Sequence, residues 1–176
     1  MNFRFFKKYQ IYQAIEKNLK KREILPFTSE FKTVGILLNL DQYGGKENLA
    51  RLTESLGILS KDLKIICYTE KQSRLPVFEQ NFFTPKDFSW NGTFNNPAIE
   101  EFLQREYDIF IGYFDSRNYY IDYVASQVRA ALNIGFTDSD QRMFDFLFKM
   151  NLTDFSLFEK EFVKYIKIFR KNTLAI

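Results

Sequence analysis

A chain of 176 residues, 45% hydrophobic and without a single histidine, has the size of one domain and lacks the side chain on which Ser-His and Cys-His triads and His-ligated metals depend. Its one cysteine, Cys67, excludes an internal disulfide framework and thiolate metal clusters. The net charge of +3 is unevenly placed: seven Lys/Arg stand against Glu16 and Glu23 in residues 1–25, five stand against Glu159 and Glu161 in residues 159–176, and the middle is acidic. Basic ends suit an anionic partner such as RNA or a membrane surface, and they equally suit solubilising helix faces.

No apolar run approaches the roughly 20 residues of a membrane-spanning helix. The basic start, Arg4 to Lys8, leads into no continuous apolar core, so a secretory signal is not expected and the expected location is the cytoplasm. On that expectation the sequon Asn91-Gly92-Thr93 is a chance match.

In chain order, residues 3–22 read as a helix, with Phe5, Tyr9, Tyr12, Ile15 and Leu19 forming one apolar stripe that docks on the domain or on a partner. Leu25 to Ser29 breaks the pattern as a linker. Residues 33–39 are a continuous apolar run of strand length, the mark of a strand buried on both faces. A helical pattern covers about 46–56 and stops at Gly57, and residues 62–69 form the next strand. This is a β-α-β unit, whose crossover is right-handed.

Residues 72–95 are less regular. Phe82 to Thr84 reads as a short strand, and Asp87 to Gly92 as an extended piece ending in a turn. Asn96-Pro97 combines a capping side chain with a proline suited to the first helical position, so a helix runs from there to about Arg105. Residues 107–114 are a second buried strand, 118–131 a helix and 132–136 a strand. Phe144, Phe146, Phe148 and Met150 alternate with other residues and predict a further strand. A final helix spans about 154–171, with Phe155, Phe158, Phe162, Tyr165, Ile166 and Phe169 on one stripe.

Alternating strands and helices predict an α/β fold of the Rossmann-like, doubly wound kind, with a mostly parallel sheet and extra terminal helices. The expected organisation is a basic helix at 1–25, a core at 32–136 and a strand–helix pair at 137–176. If strands 33–39 and 107–114 are central, the ligand crevice of such folds lies past their carboxyl ends. Its candidate residues are Asp41, Gly44, Gly45, Lys46, Asp115, Ser116 and Arg117. Gly44-Gly45-Lys46 fits a phosphate cradle or a plain turn, without the spacing of a P-loop. Asp41 and Asp115 would hold a cation or do acid–base work, or simply cap and turn; Arg117 also reads as the salt partner of Asp115. Cys67 reads as a buried, inert thiol. Most of the 21 Phe and 10 Tyr read as core, with an exposed patch expected at Phe3, Phe5 and Phe6 or at Tyr119 and Tyr120.

Several landmarks resemble an uncharacterised family of small cytoplasmic proteins from Bacteroidota. They are the basic first helix, Lys32-Thr-Val-Gly-Ile-Leu37, Phe88-Ser-Trp-Asn-Gly-Thr-Phe94, Tyr107-Asp-Ile-Phe-Ile-Gly-Tyr-Phe-Asp115, Asn133-Ile-Gly-Phe136 and Phe162-Val-Lys-Tyr-Ile-Lys-Ile168. That resemblance spans nearly the whole chain and brings no activity with it. A second, local resemblance, over Tyr107 to Gly135, is to the N-terminal half of GT-B glycosyltransferases of the heptosyltransferase kind. It implies a nucleotide or nucleotide-sugar binding scaffold without the second domain that holds the sugar nucleotide.

The leading expectation is a non-catalytic interaction module that takes a protein or ribonucleoprotein partner, with no catalytic residue, metal or cofactor assigned. Its contact residues would be Phe5, Lys7, Lys8, Tyr9, Tyr12, Lys20, Lys21 and Arg22. The alternatives are a nucleotide binder using the crevice, and contact with RNA or an anionic membrane through the first helix.

Overall fold

The computed structural model describes residues 3–26, 31–71 and 80–173. Six strands form one sheet: β1 (Val34–Asn39), β2 (Leu63–Tyr68), β3 (Phe82–Phe83), β4 (Glu106–Tyr113), β5 (Arg129–Phe136) and β6 (Phe146–Phe148). Their order is β3-β2-β1-β4-β5-β6, and every pairing between them is parallel. This is a Rossmann-like, doubly wound α/β fold with β1 and β4 side by side at its centre.

All six residues of β1 are buried, as its unbroken apolarity predicts. Val34, Ile36 and Leu38 face one layer and Leu37 the other. The first layer holds α2 (Lys46–Ala50), α3 (Leu52–Leu56) and α6 (Phe155–Thr173); the second holds α1 (Phe3–Lys20), α4 (Pro97–Gln104) and α5 (Tyr119–Ala125). The β1–β2 and β4–β5 connections leave the centre in opposite directions and use opposite faces, as right-handed crossovers require.

Local signals explain the element ends. Gly57 stops α3 at φ 67°, the left-handed region open to glycine. The Asn96 side chain accepts from the N–H groups of Ala98 and Ile99, with Pro97 in the first helical position. On α6, Phe155, Phe158, Phe162 and Ile166 are buried against the sheet, and each full burial of such a side chain stabilises by about 1.5–3 kcal/mol.

Three sequence expectations are corrected. The helix expected over 118–131 ends at Ala125, and residues 129–136 are strand, because Arg129 and Ala130 pair with Glu106 and Tyr107 of β4. Phe144 stands outside β6: its ring lies in the α1/α4/α5 layer, whereas Phe146 and Phe148 face α6. The stripe expected on α1 is rotated. Among its described side chains only Ile11 and Ile15 are buried, while Phe5, Tyr9 and Tyr12 face solvent. Residues 27–29 of the expected linker and residues 72–79 lie outside the described residues.

The β5–β6 connection, residues 137–145, carries only a 3-10 turn at Gln141–Met143, and β6 completes the sheet edge. The connection passes over the second layer, where Met143 and Phe144 are buried with Ile11 and Ile15 of α1.

Candidate functional site

The topological switch lies between the loops after β1 and β4, where the expected crevice residues are found. The two loops are tied together by Gln42, a loop residue not among the expected site residues. Gln42 donates its amide to Asp115 Oδ1 at 2.7 Å and to Ser116 Oγ at 2.8 Å, and its carbonyl oxygen accepts from the Asp115 N–H at 3.3 Å. Next to Gln42 in the chain, Tyr43 is buried against Tyr113, with ring centroids 5.0 Å apart. Tyr113 donates to the Leu152 carbonyl at 2.8 Å, and burial pushes its phenol above the ordinary range. Phe136 and Phe158 close round it, each 5.1 Å away.

The other expected crevice residues have separate engagements. Asp41 turns towards β2, accepting from Thr69 Oγ1 at 2.9 Å and from the Glu70 N–H at 2.8 Å, while Asp115 binds Gln42. The two carboxylates therefore serve different loops. At Gly45 a Cβ would collide with the Tyr43 hydroxyl and ring, whereas at Gly44 it would meet nothing within 4 Å. The Tyr43 side chain thus accounts for one of the paired glycines without any phosphate. Lys46 begins α2. A cleft of about 330 Å³ opens between α2 and the start of α6, past Gly45, Asn48, Arg51 and Asp154, to one side of the clamp.

Arg117 does not pair with Asp115. Its Nε donates to Asp122 Oδ2 at 3.3 Å and its Nη2 lies 3.0 Å from Asp140 Oδ2. Asp140 is also gripped by Arg142, Nε to Oδ1 at 2.9 Å and Nη2 to Oδ2 at 2.7 Å. Arg142 continues to Glu16 of α1, Nη1 to Oε2 at 3.1 Å. These hydrogen bonds hold the Asp140 carboxyl below its usual value and raise the Arg142 guanidinium further. Asp122 is only 2% exposed, and its Oδ1 has no hydrogen-bond partner. Burial outweighs the pull of Arg117 and lifts its pKa to about 6. Nothing in the local sequence signals this chain of charges, since Asp122, Asp140 and Glu16 come from three separate elements.

The α1 candidates divide between the two sides of the helix. Lys7 turns inward, donating to the Pro85 carbonyl at 3.0 Å and lying over the Tyr120 ring at 5.2 Å. Lys8 sits over Tyr119 at 5.1 Å. Arg22 is bound to Asp145 at 2.7 Å. Phe5, Tyr9 and Tyr12 are 72%, 58% and 49% exposed, and Lys20 and Lys21 are exposed with them. Trp90, 62% exposed and unflagged by the sequence reading, stacks on Phe6 at 5.9 Å and widens this apolar surface. Tyr120, expected in an exposed patch, is instead buried; the Phe3 side chain lies outside what the structure describes.

Among the described residues no three Cys, Asp or Glu side chains gather as a metal-holding group, and no helix is long and apolar enough to cross a membrane. Residues 7–169 match the family model described as a family of unknown function (DUF6913). The chain belongs to the DUF6913 family. No curated protein matches it. The DUF6913 match takes in α1 from Lys7 onward, all six strands and α6 as far as Phe169. Tyr9, Tyr12, Gln42 and the Arg117–Arg142 network therefore lie within the DUF6913 unit, and Phe5 lies just before it.

Proposed function

We propose that this DUF6913 protein is a non-catalytic binding module that engages a protein partner through the outer face of α1. One observation carries the reading: Ile11 and Ile15 satisfy the inner face of the helix, while Phe5, Tyr9 and Tyr12 form an exposed row on the other side. Four of the eight large apolar side chains exposed among the described residues, Trp90 included, gather at this end of α1. Aromatic clusters of this kind are enriched at protein interfaces and carry much of their binding energy. The rival nucleotide reading is weakened by the Gln42–Asp115 clamp and by the Tyr43 ring packed against Gly45.

A photo-crosslinking residue placed at Tyr9 of the full chain, in host cells, tests the reading. A discrete protein adduct that disappears when Phe5 and Tyr12 are changed to Ser supports it. No adduct, or one indifferent to those changes, sinks it. Thermal-shift screening against nucleotides with magnesium is the companion measurement, and a shift abolished by Asp115→Ala would favour the rival.

A further inference from the structure

The outer face of α1 is polarised along its length, and this points to the chemistry of its partner. Phe5, Tyr9 and Tyr12 lie towards its amino end at spacings of four and three, so their side chains stack along one stripe about 10 Å long. Lys17 and Lys20 follow in the last turn of the helix, and Lys21 stands one residue past its end. All three are exposed, and no described carboxylate pairs with them. The one acid of the helix, Glu16, is already committed to Arg142. The surface therefore offers aromatic contact at one end and uncompensated positive charge at the other.

We propose that the occupant of this face is an acidic amphipathic helix of a partner protein, its apolar side chains on the aromatic row and its carboxylates over Lys17, Lys20 and Lys21. The proposal rests on the reading of α1 as the contact surface. An i, i+4, i+7 row is the pattern by which one helix packs along another. Even with Trp90 beside them, Phe5, Tyr9 and Tyr12 make a small apolar face, and stable binding to a lipid surface needs a larger one. Charge complementarity adds selectivity and association rate, and makes the contact sensitive to salt.

The test is a display selection of peptides tiled from the host proteome against the intact chain. It is repeated with Lys17→Glu/Lys20→Glu/Lys21→Glu and with Phe5→Ser/Tyr9→Ser/Tyr12→Ser, both checked for an unchanged melting curve. Enriched peptides of net negative charge with apolar residues at helical spacing, weakened about tenfold or more by either variant and by added salt, are the expected result. Enrichment that depends on the aromatic residues but is neutral or basic, and indifferent to the lysine reversals, overturns the acidic-helix proposal and leaves α1 as the contact surface. Enrichment indifferent to both variants overturns both readings. Vesicles of mixed phosphatidylglycerol and phosphatidylcholine, and poly(U) RNA, are run alongside. Residue-dependent binding to either of these, with no peptide enriched, also overturns the proposal.

Discussion

The Gln42 amide spans the gap between the two central strands and fastens Asp115 from both sides, donating to its carboxylate at 2.7 Å and accepting from its N–H at 3.3 Å. Where doubly wound folds commonly receive a ligand, this chain supplies its own side chain. Replacing Gln42 with Ala removes a hydrogen bond to a carboxylate at a half-buried site, which costs about 1 kcal/mol. Urea unfolding should show the lower midpoint. A midpoint equal to that of the unchanged protein would mean the clamp contributes nothing.

Asp122 predicts an unusual pH profile. Its folded pKa of about 6 lies above the ordinary 3.8, so the folded state holds the proton more tightly than the unfolded one. Ionising Asp122 therefore costs stability: the penalty is absent below about pH 4, grows as pH rises towards 6, and is complete above it. A shift of this size corresponds to about 3 kcal/mol. Asp122→Asn should be more stable than the unchanged protein by about 1–3 kcal/mol at pH 7.5 and no more stable at pH 4. Denaturation at the two pH values is the check, and an equal effect at both would refute the assignment.

The two glycines after β1 should respond differently. Gly45→Ala drives a methyl into the Tyr43 ring and should cost about 1–3 kcal/mol. Gly44→Ala meets open space and should change stability by less than about 0.5 kcal/mol. A phosphate cradle would make both positions matter for a ligand; a steric role makes only Gly45 matter, and for the fold alone. Two melting curves decide the point.

Phe144 presses on β4 and β5 at once, since a Cβ built on Gly112 or Gly135 would lie 2.7 or 2.6 Å from its ring. Gly135→Ala should therefore destabilise by about 2 kcal/mol or more. Phe144→Leu should recover part of that loss in the double variant, although alone it leaves a gap in the core. The coupling energy from the four-protein cycle would be near zero if the ring and the glycine did not share space.

The sheet was legible because physics wrote it locally. Val34–Asn39 and Ile109–Tyr113 are apolar on consecutive residues, which a strand covered on both faces requires and an amphipathic helix does not. Asn96-Pro97 and Gly57 are likewise local signals. The start of β5 was not legible: residues 126–131 carry no strand pattern, and pairing with Glu106 and Tyr107 imposes one. On α1 the large aromatic side chains dominate any apolar count, yet Ile11 and Ile15 are what the core accepts. The crevice residues could be located from topology, but their partners could not. Gln42 meets Asp115 across 73 positions, and spacing carries no record of that contact.

The light anchorage of α1 sets a ladder of opening energies within the molecule. The helix buries Ile11 and Ile15, whereas α6 buries four side chains between Phe155 and Ile166. The rest of its hold is half-buried Leu19, the Phe6–Trp90 stack and polar contacts through Lys7, Glu16 and Asn18. Such a helix parts from the sheet at lower cost than the sheet itself unfolds, so its amide hydrogens should exchange before those of β1 and β4. Whatever grips its outer face then stabilises the closed form by mass action. The gain in amide protection would be confined largely to one helix, a thermodynamic fingerprint of where the partner sits.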